Sequence, residues 1–414
     1  MTKQPSDFEG ARRKELVVRL GSALHRFGAP AHRLELALEN VSRRLGLEAN
    51  FLSTPTSLIS AFEEDGERTT ILERLEVGSV DLHRIGALDE LAGQIARGDL
   101  STAEAFSGIE ELERQPPFYS AAFRVLASGL ATSTAAVILG GGATEVLLTL
   151  ITGIVVGVLF ELGAVWKRLS RLVPVASAFL VAMLCGWVQN GSFGLELLLA
   201  DGFSVPTVLV ASLITLVPGL GVTVSVSELA QGSLVSGSAR LFGAVLVFLM
   251  LGFGVALGSG ASALEIAETG ARSSLPLWMV LLCVAVSGLS FVVLFNAAAQ
   301  DVPWIVAIGL LTFLVTRLST ARLGLELGTF AGAFAVGLLS NLFSRITGRP
   351  AMIPRVPAVF LLVPGALGFR SVSSMLEQDA VAGVQLGFTV GLVAVAIVTG
   401  LLVANALVRP RWEL

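Results

Sequence analysis

Glu145, Glu228, Asp301 and Asp379 are carboxylates placed at or near the ends of strongly apolar stretches, where an ionised group is costly and therefore a functional candidate. A carboxylate in such a place can pair with a ligand ammonium, or take up a proton once burial raises its pKa. These four are the candidate coupling residues, and Glu228 and Asp379 lead because each stands beyond a Pro-Gly break; Glu161, Glu326 and Glu377 occupy similar positions. The neutral candidates are the hydroxyls of "SGLATSTA" (Ser128, Thr132, Ser133), those after the breaks (Ser225, Ser227, Ser371, Ser373), and Asn296. Each hydroxyl can bond a small polar substrate or the preceding turn of its own helix. The breaks themselves, Pro218-Gly219 and Pro364-Gly365, remove a helical N–H and loosen the next turn, freeing backbone dipoles for a ligand.

Other chemistries lack their residues. His25, His32 and His83 carry no HExxH or CxxC spacing, so packing or surface roles are expected and no metal. No Gly-x-Ser-x-Gly elbow, Walker loop or dinucleotide fingerprint occurs, so no catalytic residue or cofactor is expected, and ATP-driven pumping by this chain alone is not. Cys185 and Cys283 both fall in apolar stretches, where a thiol acts as a small hydrophobe. A net charge of −4 gives no reason to expect nucleic acid.

The elements that must position these residues are membrane spans. The chain is 54% hydrophobic and 14% charged, with mean hydropathy +0.79, well outside soluble norms. A window of about 19 residues finds ten candidate spans, near 119–139, 145–163, 172–190, 204–222, 240–258, 275–296, 302–318, 325–343, 352–369 and 383–408. Within them small residues recur at four-residue spacing, as in Gly153/Gly157, Gly254/Gly258, Gly328/Gly332 and Gly383/Gly387/Gly391, which lets helices approach closely in lipid.

The stretches "LVPGLGVTVSVSELAQGSLVSG" (216–237) and "LVPGALGFRSVSSMLEQDAVAG" (362–383) match in one register, 146 positions apart. They end the fourth and ninth spans, so the ten read as two halves of five, and an odd number inverts the second copy. A weaker match sets "VILGGGATEV" (137–146) over "VLFNAAAQDV" (293–302), and Glu145 over Asp301. Inverted five-span repeats are a recurrent design of secondary transporters, with substrate at broken helices near the midplane.

Residues 1–117 carry 34 of the 60 charged side chains and read as a compact α+β domain. Helices are expected over 11–27, 30–46, 81–97 and 102–114, the last opening with a Ser101-x-x-Glu104 capping pattern. Short strands and an Asp65-Gly66 turn lie between. The expected fold class is thus a polytopic α-helical membrane protein: a soluble front domain (1–117), then repeats over 118–258 and 259–414. The spans satisfy their own backbone bonds, so the body is expected to fold without the front domain. Basic residues near span ends divide nine to four (Lys167, Arg168, Arg171, Arg240, Arg345, Arg349, Arg355, Arg409, Arg411 against Arg272, Arg317, Arg322, Arg370), which puts both termini in the cytoplasm. The N-terminus lacks the apolar core of a secretory signal.

On "GAPAHRLELALENVSRRLGL" (28–47), "VGSVDLHRIGALDELAGQIARGDLSTAEA" (77–105) and the two LVPG stretches, the chain resembles the threonine/serine exporters, bacterial membrane proteins with a soluble front domain and a ten-span body. The resemblance covers essentially the whole chain. It implies export of L-threonine and L-serine from the cytoplasm through the inner membrane, energised by the proton gradient, with a homo-oligomer left open. It transfers no set of binding residues. A membrane-embedded hydrolase working through the front domain and a passive channel for small polar solutes are the competing classes.

Overall fold

A computed structural model describes residues 5–410 apart from 65, 77, 192–201, 266–274, 363–364 and 377–378. Pro364 and Glu377 therefore lie outside the described residues, and of Ser373 only the helical backbone is described.

The chain opens with α1 (Pro5–Arg26) and α2 (Ala31–Arg44). Pro30 precedes the first turn of α2, and Leu34, Leu38 and Val41 bury one face of it at helical spacing. A three-stranded antiparallel meander follows, β1 (Glu48–Thr54), β2 (Ser57–Glu64) and β3 (Glu67–Arg74). Leu58, Ser60 and Phe62 alternate inward along its central strand. Helix α3 (Leu82–Arg97) starts where the Asp81 side chain accepts the Arg84 N–H and stops at Gly98 in the left-handed region. Helix α4 (Thr102–Arg114) carries the reciprocal capping bonds of Ser101 and Glu104.

The apolar remainder folds as α5 (Ala121–Ile138), α6 (Ala143–Val165), a single turn α7 (Lys167–Ser170), α8 (Val173–Gln189), α9 (Val205–Leu213), α10 (Gly219–Ala230) and α11 (Leu234–Ser262). After these come α12 (Leu277–Leu294), a 3-10 turn at Ala299–Asp301, α13 (Val302–Leu323), α14 (Leu325–Thr347), α15 (Met352–Leu362), α16 (Gly365–Leu376) and α17 (Ala380–Leu407). Each of the ten apolar stretches read from the sequence is helical. Eight described segments are long and apolar enough to cross a bilayer, whereas Val173–Gln189 and Gly219–Ala230 are apolar but shorter. The fourth stretch is two short helices separated by an interruption at 214–218. Phe242, Leu246, Leu249, Phe253 and Leu257 line one side of α11 and are all exposed, as on a surface meant for lipid rather than water.

Packing partners recur between the halves. Helix α5 packs on α6 as α12 does on α13; α8 packs on α11 as α14 does on α17; α6 packs on α9 as α13 does on α15. The short helices exchange partners, α10 lying on α17 and α16 on α11. At the α8–α11 seam a Cβ on Gly254 or Gly258 would overlap the backbone carbonyls of Val175 and Phe179, so these two positions require glycine for the close approach.

Two large cores result. One joins α6, α8–α11, Phe369 and Ala394. The other runs without a gap from Leu16, Leu24, Leu34, Phe62 and Ile85 into Val292, Ile305, Val336, Phe343 and Ile353. Apolar side chains of residues 1–117 thus share a core with α12–α15.

Candidate functional site

Segments 5–114 and the apolar helices meet along a polar seam. Leu82 and His83 donate their N–H groups to the Phe295 and Asn296 carbonyls at 2.9 and 3.0 Å. Asn296 has φ 52°, a left-handed conformation that asparagine tolerates better than most residues. Its side chain donates to Asp81 Oδ2 at 2.6 Å and accepts the Phe118 N–H at 2.9 Å. Tyr119 donates to the Ala297 carbonyl at 3.1 Å.

Behind this seam is a cavity of about 350 Å³, at the lower end of the ~300–1,000 Å³ typical of ligand sites. Its wall combines Asp81 and Arg84 at the start of α3, Arg124 and Ser128 of α5, Glu161 of α6, Asn296, and Thr215 and Leu216 from the interruption before Pro218. Phe160, Phe291, Phe295 and Phe360 supply its apolar side. Arg124 grips Glu161 with two bonds of 2.7 and 2.5 Å. Arg84 lies 3.5 Å from Asp81 and bonds the Gln115 carbonyl. The Thr215 hydroxyl is buried with no hydrogen-bond partner among the described residues; an unmet buried hydroxyl costs about 1–3 kcal/mol, which a polar ligand at this place would recover. Two guanidinium groups, two carboxylates and one unmet hydroxyl around a small space form a set complementary to a zwitterion that bears a hydroxyl.

The structure brings together only part of the sequence-derived candidates. Ser128 and Asn296 line this cavity. Thr132 is fully buried and directs its hydroxyl to backbone carbonyls of α5 and to Thr149 O at 2.8 Å. Ser133 bonds Leu130 O at 3.0 Å and Ser225 bonds Val222 O at 2.7 Å, each within its own helix. Ser371 bonds Gly383 O at 2.6 Å. Ser227 faces a different cavity, beside Thr223. Pro218 and Gly219 form the start of α10, and Val217 abuts Gly365, where an added Cβ would come within 2.8 Å of its side chain, so the start of α16 touches the interruption before α10.

The four coupling candidates are separated. Glu228 is fully buried; it accepts the Ala31 N–H at 3.2 Å and the Ser236 hydroxyl at 2.9 Å, and pairs with Arg240 at 3.1 Å. Asp379 is exposed and caps α17 through the Ala382 N–H at 3.0 Å. Glu145 accepts the N–H groups of Gly142 and Ser204, both at 2.8 Å. Asp301 pairs with Arg349. The sequence reading missed Asp81, Arg84, Arg124 and Thr215. A lone arginine early in the first span and a threonine just before LVPG were the available signals; Asp81 and Arg84 sit in a polar segment where hydropathy gives none. Among the described residues, no group of three His, Cys, Asp or Glu could hold a metal ion.

A helical bundle with this many apolar segments, holding a charge-lined cavity at an interrupted helix, is built as a polytopic membrane protein of the transporter class. Residues 15–261 match a family model described as "Putative threonine/serine exporter", and residues 280–407 match "Threonine/Serine exporter, ThrE". The chain belongs to the threonine/serine exporter family. Among curated proteins it is 26% identical over 381 residues to a pheromone-regulated membrane protein of Eremothecium gossypii, covering 89% of this chain and 50% of that one. An uncharacterized protein of Schizosaccharomyces pombe is 24% identical over 380 residues, with 88% and 49% covered. The chain thus spans about half the length of these relatives. No solved structure matches it.

Proposed function

We propose that the chain is a secondary active exporter of small hydroxy amino acids, L-threonine and L-serine, driven by the proton gradient, and that the cavity behind Asn296 is its substrate site. The observation that carries this reading is the wall itself. A substrate carboxylate would draw on Arg84 or Arg124, its ammonium on Asp81 or Glu161, and its hydroxyl on Thr215 or Ser128. Family membership supplies the substrate class.

The recurrent packing of the two halves and the contact of Val217 with the start of α16 support the reading as inverted five-span repeats meeting at the centre. Orientation is read from the basic residues. Lys167 pairs with Glu76 at 3.1 Å, Arg240 pairs with Glu228 beside Ala31, and Arg349 lies 3.5 Å from the position a Cβ would take on Gly86. These cations share a side with residues 1–117, as a cytoplasmic front segment requires.

Thr215→Val tests the site, because valine keeps the volume and removes only the hydroxyl. In proteoliposomes the variant is expected to raise the KM for threonine about tenfold, the loss of one hydrogen bond, while alanine counterflow, which needs no hydroxyl contact, changes little. Equal kinetics for threonine in the variant and the parent protein would refute the assignment.

A further inference from the structure

A second cavity, of about 290 Å³, opens between α2, α10, α15 and α17 and shares no lining residue with the first. Its chemistry differs from that of the first. Arg33, Arg355, Arg409 and His32 line it, and no carboxylate is among its described lining residues. Arg355 is 8% exposed; its Nη2 donates to Asn341 at 2.5 Å and Asn405 at 3.3 Å, but its buried Nε has no partner among the described residues. Among those residues Arg355 is thus a cation held inside the bundle by neutral amides, and a buried cation of this kind is strongly disfavoured unless an anion pairs with it. Burial, then Arg33 and Arg355, hold the His32 imidazole down at about 3, so this ring stays neutral and adds no charge of its own. Ser227 and Thr223 add hydroxyls. The remaining wall is aliphatic, from Leu220 and Val224 of α10, Val356 and Val359 of α15, and Leu401 and Leu402 of α17.

We propose that this cavity binds the phosphate headgroup of an anionic phospholipid, with Arg355 as its innermost cation and the exposed Arg409 nearest solvent. Three guanidinium groups offer more donors than one carboxylate can accept, and phosphate oxygens suit their forked geometry. The aliphatic wall formed by membrane helices suits a ligand whose anion is tied to acyl chains, the usual pattern where basic pockets open between such helices. The site is separate from the substrate cavity, and its test needs no transport.

Native mass spectrometry of the purified full-length protein, equilibrated in detergent with equal amounts of phosphatidylglycerol and phosphatidylcholine, reads the preference directly. The parent protein is expected to retain phosphatidylglycerol about tenfold over phosphatidylcholine. Arg355→Gln also removes bonds to Asn341 and Asn405 and can fail to fold. The deciding variant is therefore Arg33→Gln with Arg409→Gln, expected to lose the preference while a cooperative melting transition in lipid-free detergent shows that it is still folded. Arg317→Gln with Arg322→Gln, which removes two exposed arginines of α13, is the control for general surface charge and is expected to keep the preference. Equal retention of the two lipids by the parent protein, or equal loss in both double variants, overturns the proposal. Inorganic phosphate that displaces phosphatidylglycerol supports phosphate recognition; inorganic phosphate that binds where phosphatidylglycerol does not overturns the lipid as its source.

Discussion

At the scale of single residues, acids that look alike in sequence do different work. Asp379 offers one oxygen to a helix N-terminus in an exposed setting, a role worth about 0.5–2 kcal/mol. Glu228 joins α10, α11 and α2 from a fully buried position. Neutralising it leaves Arg240 without its partner and weakens the hold of α10 on the front segment, so of the two it is the stronger coupling candidate. Glu228→Gln is expected to preserve threonine exchange across proteoliposomes and abolish uphill export, whereas Asp379→Asn, since asparagine also caps well, should export normally. Full proton-driven export by the glutamine variant would remove Glu228 from coupling. Burial made this difference and hydropathy could not: both acids sit just beyond an LVPG break, and only the three-dimensional neighbours, Ala31 above all, tell them apart.

At the scale of elements, most of the architecture was legible. Apolar runs located the helical stretches, eight described segments of which are long and apolar enough to cross a bilayer, the Ser101-x-x-Glu104 spacing gave the start of α4, and LVPG located the interruption between α9 and α10. The cavity was not legible, because its wall comes from the start of α3, α5, α6, the interruption, α12 with the turn after it, and α15, segments up to about 280 residues apart whose meeting depends on tertiary packing. The small-residue spacing was informative where two helices cross, at Gly254 and Gly258, and silent at Gly391, which has open space around it. Gly258→Leu is accordingly expected to force α8 and α11 apart and lower the melting temperature by several degrees or prevent folding, as overpacking by about 1–3 kcal/mol or more does, while Gly391→Leu should leave it unchanged. Differential scanning fluorimetry of the two variants checks this.

At the scale of the whole molecule, the shared core ties stability to the front segment, and that segment titrates. Burial, with Glu90 beside it, pushes the Asp89 carboxyl on α3 up to about 7, against 3.8 for the free group. Between these values the folded protein holds a proton that the unfolded chain has released, so this stabilising contribution is complete below about pH 4 and is lost as pH rises through 7. Melting temperature is therefore expected to fall as pH is raised from 5 to 8, with Asp89→Asn showing a shallower slope. An identical slope in the variant would place the titration elsewhere.

Among its attachments, the front segment is tied to Glu228 on α10 through the Ala31 N–H and to Phe295 and Asn296 after α12 through Leu82 and His83. A strap fixed at both ends sets the pace of whatever it spans. Any rocking that carries α10 away from the turn after α12 must strain this segment or release one fastening, so the rate of such a motion is expected to depend on contacts at Ala31, Leu82 and His83, which lie outside the cavity wall.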